Sequence, residues 1–214
     1  MEPTSAESVA QWIQTAQRQR DPFEHVRLAS HEHRESHGAG CSVYPTSSGP
    51  LLSVLAAAVA AERILEVGSG LGYSALCLAH DSSGVVETIE RDNEHVALAE
   101  RTILREGYGN RIRVLRGRGA DVLPELDGPY DLIFSDCDPE ELPQDLDHFL
   151  RLLRLGGLLL STNLFLAQFV PDLTAVDQMA EYRQRLLDNG RLLTTIVPGG
   201  LAISVVRPNP DEIK

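Results

Sequence analysis

From Ile64 to Val206 short apolar runs alternate with amphipathic stretches. Strand–helix alternation of this kind implies a mostly parallel sheet covered on both faces. The predicted strands are Ile64 to Val67, Val85 to Glu90, Ile112 to Leu115, Asp131 to Ser135, Leu158 to Ser161, Arg191 to Val197 and Leu201 to Val206. Helices are predicted over Tyr73 to His80, Asn93 to Glu106, Ala120 to Leu126, Pro143 to Leu155 and Asp172 to Asn189. Only Pro198, Gly199 and Gly200 separate the last two strands. That gap is too short for a crossover helix, so the two strands should pair as an antiparallel hairpin.

The segment ahead of this pattern reads as an N-terminal helical extension, residues 1–60, of a single domain spanning residues 1–214. Thr4 and Glu7 fit a capping box, and Val9, Trp12, Ile13 and Ala16 follow one helical face that needs a partner, in this domain or across a dimer. Residues 20–49 read as a short helix and a loop. Ser47 or Ser48 can then cap a second helix, with Pro50 tolerated in its first turn. A chain of 214 residues that is 43% hydrophobic can bury a core. Its formal charge of -12 repels phosphate backbones and anionic lipid, so neither nucleic acid nor a membrane is expected as a partner. No apolar run reaches the ~18 residues of a membrane span and the N-terminus does not read as a secretory signal, which points to the cytoplasm. Cys41, Cys77 and Cys137 have neither the number nor the spacing of a disulfide framework or a thiolate zinc site.

The first strand runs into Gly68-Ser69-Gly70-Leu71-Gly72, which places a GxGxG turn between a strand and a helix. Glycines there let a ligand approach the backbone, and the following helix presents unpaired N–H groups. The second strand ends at Glu90, twenty residues beyond Gly70, where a carboxylate can accept hydrogen bonds from both hydroxyls of a ribose. Dinucleotides and S-adenosylmethionine both suit such a pocket. Glu66 favours the second, because a carboxylate sits badly beside a pyrophosphate but can orient the loop or face the ammonium of a methionine moiety. A tight turn with no cofactor is the plain alternative.

The sequence resembles the class I S-adenosylmethionine-dependent methyltransferases, and within them the small O-methyltransferases that include the catechol and caffeoyl-CoA enzymes. The resemblance begins at about Ser42. It rests on Ile64 to Ser74, on Thr88-Ile89-Glu90-Arg91, on Tyr130 to Asp138, and on Leu155-Gly156-Gly157-Leu158 with Ser161-Thr162-Asn163. It implies an α/β, Rossmann-like seven-stranded sheet in the order 3-2-1-4-5-7-6 with strand 7 antiparallel, helices on both faces, and a homodimer. It also implies an S-adenosylmethionine site built from Glu66, Gly68, Ser69, Gly70, Gly72, Tyr73, Ser74, Glu90, Arg91, Arg118, Gly119 and Asp136. Asp136 is the implied catalytic residue, and Asp136 with Asn163 the implied metal ligands. Three positions depart from the family pattern. Thr162 replaces an Asp of the metal site, Pro139 stands where catechol-type enzymes carry a basic Lys, and Arg118 stands where relatives place an Asp on the adenine amino group. Loss of one carboxylate weakens or abolishes binding of a hard cation such as Mg²⁺.

The expected activity is methyl transfer to a hydroxyl of a small aromatic or polyhydroxylated acceptor. A cofactor-binding module that has lost catalysis and a nicotinamide-dependent oxidoreductase are the competing readings. His31, His33 and His37 match no strong ligand spacing and read as a solvated surface; if one of them reaches an acceptor pocket, it is His37. Ser42, Val43 and Tyr44 are expected at the methionine end. The acids from Asp138 to Asp147 read as a solvated loop and helix start, and Cys137 as a small semi-buried hydrophobe.

Overall fold

The computed structural model describes residues 5–38, 41–47, 49–168 and 176–208. Seven strands form one sheet in the order β3-β2-β1-β4-β5-β7-β6. They are β1 (Arg63–Val67), β2 (Val85–Glu90), β3 (Ile112–Arg116), β4 (Tyr130–Ser135), β5 (Leu153–Ser161), β6 (Leu192–Val197) and β7 (Leu201–Val206). The first five strands pair in parallel, and β7 runs antiparallel to both β5 and β6. Both the strand order and the terminal hairpin match the sequence expectation.

Successive β1 residues point to opposite faces, and four of its five are buried, as a strand covered on both sides requires. On one face Leu65, Ile133 and Leu159 pack with Phe149 of α7 (Leu142–Leu152) and with Met179 and Tyr182 of α8 (Val176–Asp188). On the other, Ile64, Leu132 and Phe134 pack with Leu52 of α3 (Gly49–Ala58), Leu76 of α4 (Tyr73–His80) and Ile103 of α5 (Asn93–Arg105). Helix α6 (Gly119–Val122) and a 3-10 turn at Leu123–Glu125 replace the single predicted helix from Ala120 to Leu126.

The helix predicted to Leu155 stops at Leu152. Leu153 pairs instead with Tyr130, and Arg154 Nε donates to Asp131 Oδ1 at 2.5 Å. An apolar Leu-Leu-x-Leu stretch suits either structure, and here the strand edge of β4 decides.

At the front, α1 (Ala6–Arg18) is capped by Ser5 and Ser8 rather than by Thr4 and Glu7. Thr4 lies outside the described residues, as do Ala39, Gly40, Ser48, Asp172 and the other residues from 169 to 175. The expected short helix is the 14-residue α2 (Glu24–His37). Its polar sequence is held by burial of Val26, Arg27 and Ser30 along one face and by two 2.6 Å hydrogen bonds from Arg27 to Glu24. Asp21, just before α2, accepts a hydrogen bond from the Tyr73 hydroxyl, which ties the extension to α4. Gly49 permits the neighbouring contact, since a Cβ there would lie 2.1 Å from the same hydroxyl oxygen. Among the described residues no helix is long and apolar enough to cross a membrane.

Candidate active site

The carboxyl ends of β1, β2 and β4 open onto a cavity of about 410 Å³, roofed by the segment Cys41 to Thr46 and by α2. That volume lies within the roughly 300–1,000 Å³ of small-molecule sites, and its place beyond the strand ends is where open α/β sheets bind ligands.

The glycine loop forms its floor. Gly68, Gly70 and Gly72 adopt φ of 99°, 49° and 91°, a region that favours glycine. A Cβ on Gly68 would also stand 2.5 Å from the carbonyl oxygen of Asp136, so the turn after β1 and the end of β4 approach closely only because the side chain is missing. Glu90 closes β2 across from this loop. Its Oε2 accepts from the Gly70 N–H at 2.9 Å and its Oε1 from the Asp92 N–H at 2.9 Å. Each carboxylate oxygen keeps acceptor capacity for a further donor.

Most residues predicted for the cofactor line this cavity: Gly68, Ser69, Gly70, Tyr73, Ser74, Glu90, Arg91, Arg118, Gly119 and Asp136. Ser42, Val43, Tyr44 and Asn163 line it as well. Glu66 and Gly72 stand behind it. Glu66 is fully buried, and Thr88 donates to its Oε2 while also bonding to Ser69. Burial pushes the Glu66 carboxyl up to about 8, against the opposite pull of the Ser74 and Thr88 hydroxyls. Of the two roles weighed for Glu66, this geometry fits the bracing of the loop.

Arg91 and Arg118 already have carboxylate partners. Arg91 pairs with Asp138 and, at 3.1 Å, with Glu141; Arg118 also pairs with Glu141. Part of the acidic stretch after β4 is therefore engaged by two arginines across the cavity rim.

Asp136 follows β4. Its Oδ1 accepts from Asn163 Nδ2 at 2.9 Å and from Thr162 Oγ1 at 3.2 Å. Burial pushes this carboxyl up to about 7, and the same two donors pull it back. Asn163 Nδ2 also donates to the Cys137 carbonyl at 3.1 Å, so two acceptors fix which amide atom faces Asp136. A hard divalent cation takes six or more oxygens. Here a hydroxyl and an amide N–H, both donating, occupy Oδ1, and Asp138 is engaged by Arg91. Asp136 and Asn163 meet, but as acceptor and donor, and this set does not fit Mg²⁺.

Several residues line the cavity that the sequence did not place there: Ser30, Arg34, Cys41, His95, Glu141 and Leu166. Val26, Ser30 and Arg34 recur every four residues and so share one face of α2, but the helix is too polar for that spacing to mark a site. The Arg34 guanidinium stacks 3.6 Å over the Tyr44 ring, and its buried Nε has no hydrogen-bond partner among the described residues. His37, the histidine chosen in case one reached the acceptor pocket, is exposed, as the solvated-surface reading has it, and faces Glu94, with Nε2 3.8 Å from Oε1. Among the histidines it is His95 that lines the cavity. Cys137, expected to be semi-buried, is buried, and burial pushes its thiol well up.

Sheet order, reversed seventh strand and a glycine loop facing an acid together define a protein of the Rossmann-like methyltransferase fold. The O-methyltransferase family profile matches residues 25–205. A protein of Mycobacterium sp. (strain KMS) named for the O-methyltransferases is 36% identical over 183 residues, covering 82% of each chain. Among solved structures, the O-methyltransferase TomG from Streptomyces achromogenes, in complex with SAM, superposes with a TM-score of 0.71. It is 27% identical, with 85% of this chain and 88% of TomG covered. Cofactor-bound Rv0187 from MTB gives a TM-score of 0.78 at 25% identity, with 97% and 100% covered. The chain belongs to the O-methyltransferase family.

Proposed function

We propose that the protein transfers a methyl group from S-adenosylmethionine to a hydroxyl of a small aromatic or polyhydroxylated acceptor, without a hard divalent metal. The observation that carries this reading is the Glu90 carboxylate held against the Gly70 N–H at one wall of the cavity, with the Asp136 carboxyl at another. When bound, S-adenosylmethionine supplies an electrophilic methyl on a sulfonium sulfur. Glu90 accepts the ribose hydroxyls, and the glycine loop admits the nucleoside to the backbone. Asn163 and Thr162 orient Asp136 through Oδ1, which leaves Oδ2 to take the proton of the acceptor hydroxyl as its oxygen attacks. A carboxyl near pH 7 suits a general base, and the rest of the catalysis is positioning. Calorimetry with S-adenosylhomocysteine should show binding, and methyl transfer to a phenol and catechol panel should not depend on magnesium added to metal-stripped protein. No heat with S-adenosylhomocysteine, or heat only with a nicotinamide dinucleotide, would remove the reading. Binding without transfer to any acceptor would favour the non-catalytic module.

A homodimer belongs to the same reading. Helix α1 leaves Val9, Trp12 and Ile13 41%, 51% and 44% exposed on its apolar face, and a second copy of the chain would cover them. Sedimentation should give a dimer that Trp12→Ser shifts toward monomer; a monomer at all concentrations contradicts it.

A further inference from the structure

Beside Glu90, three separate segments bring metal-ligating side chains together that the proposed reaction does not use. His33 and His37 lie one turn apart on α2, their rings stacked with centroids 4.0 Å apart. His95, in the first turn of α5, meets the His33 ring edge-on at 5.4 Å. Cys41, in the segment after α2, places its Sγ 3.9 Å from His95 Nε2. One donor atom each from His33, Cys41 and His95 lies within 4.8 Å of the other two. A tetrahedral zinc ion, with Zn–S of about 2.3 Å and Zn–N of about 2.0–2.1 Å, sets its ligand atoms roughly 3.3–3.6 Å apart. Closing the triangle therefore takes side-chain shifts of about an ångström.

The donor chemistry selects the ion. One sulfur and two imidazole nitrogens suit zinc and its transition-metal neighbours, not magnesium or calcium. The surroundings are those of a ligand set as well. Cys41 and His95 are buried, which limits competing water. Coordination through His95 Nε2 leaves the hydrogen on Nδ1, the atom that faces Glu90 Oε1 at 4.0 Å, in the carboxylate–histidine–metal order common at such sites. His37 is prepared too. Its Nδ1 donates to the His33 carbonyl at 2.7 Å, which puts the lone pair on Nε2, beside His33 and Glu94.

We infer that Cys41, His95 and His33 form a binding site for a thiophilic divalent ion, Zn²⁺, with His37 or a water as fourth ligand. Binding converts the Cys41 thiol to the thiolate and releases its proton to solvent. The site is distinct from the Asp136–Asn163 pair and does not depend on the reaction proposed above.

The untagged, metal-stripped full chain is titrated with zinc chloride by calorimetry and with cobalt chloride by absorption. One equivalent of zinc should bind, and the cobalt form should show a sulfur-to-metal charge-transfer band with tetrahedral ligand-field bands. Cys41→Ser should abolish that band, and Cys41→Ser and His33→Ala should each weaken zinc by at least about tenfold. Asp136→Asn should leave zinc affinity unchanged. His33 is half-exposed on α2, so His33→Ala carries the test if Cys41→Ser does not fold. Absence of zinc binding, or a cobalt spectrum without the sulfur band, would reduce the contact to a thiol–imidazole hydrogen bond and overturn the inference. Zinc lost in His37→Ala but kept in Cys41→Ser would overturn this ligand set in favour of His33, His37 and Glu94. Zinc lost with Asp136→Asn would place the ion elsewhere and do the same.

Discussion

Glu90 and Asp136 close neighbouring regions of the sheet, and their partners give them different chemistry. Glu90 accepts two backbone N–H groups, an arrangement that keeps a carboxylate in place for a ligand's hydroxyls. Glu90→Ala should weaken S-adenosylhomocysteine by about 1.5–3 kcal/mol, the worth of hydrogen bonds to a charged group, read by calorimetry. Unchanged affinity would contradict the ribose assignment. Asp136 is only partly buried but faces two side-chain donors, and desolvation pushes its carboxyl up to about 7. As a base it acts when deprotonated, so the rate should rise with pH through about 7 and then level. Asp136→Asn should flatten that rise and lower kcat by about 10²–10⁴-fold while S-adenosylhomocysteine still binds. At this scale the sequence was legible for single positions, Glu90 and Asp136 among them. It placed Asn163 beside Asp136 but not the direction of its amide, which depends on the Cys137 carbonyl.

The turn between β1 and α4 is the element on which the site rests. Gly68 combines a φ of 99° with a Cβ position 2.5 Å from a backbone oxygen, so Gly68→Ala meets both strain and a clash with an atom that cannot rotate away. A loss of about 2–4 kcal/mol is expected in urea unfolding. Gly107, with φ 85° and open space around it, is the control. Alanine there should cost about 1 kcal/mol from strain alone. A Gly68 variant no worse than the Gly107 variant would show that the close approach is unimportant. Elements also show where local pattern fails. Leu153 to Leu155 extended a helical period in sequence, yet they join β5 because an unpaired β4 edge and Asp131 were waiting for them. Helix α2 is too polar for periodicity to announce its length, and packing of three residues on the core sustains it.

Among the described residues three carboxyl groups are raised by burial: Glu66 to about 8, and Asp136 and Asp145 to about 7. The unfolded chain releases these protons in the ordinary carboxylate range, whereas the folded chain keeps them until pH 7–8. Their contribution to stability is therefore full below about pH 4 and is lost as pH rises through the folded values. Glu24, Asp92, Glu106 and Asp131 are lowered and act oppositely, losing their contribution as pH falls below the ordinary range. Thermal stability should thus peak on the acid side of neutral and decline toward about pH 8. Glu66→Gln should remove a slope of up to about 1.4 kcal/mol per pH unit from that decline. Midpoints equally pH-dependent in both proteins would place the titration elsewhere. Sequence by itself determined the alternating strands and helices, the glycine turn, the acid that ends β2 and the final hairpin, because each is written in spacings of a few residues. Tertiary structure alone decided that Glu66 braces the loop from behind, that an amide rather than a carbonyl meets Asp136, and that Cys41, His33 and His95 converge. Those outcomes depend on how distant elements pack, and the period of a helix or strand says nothing about which side chains two of them bring face to face.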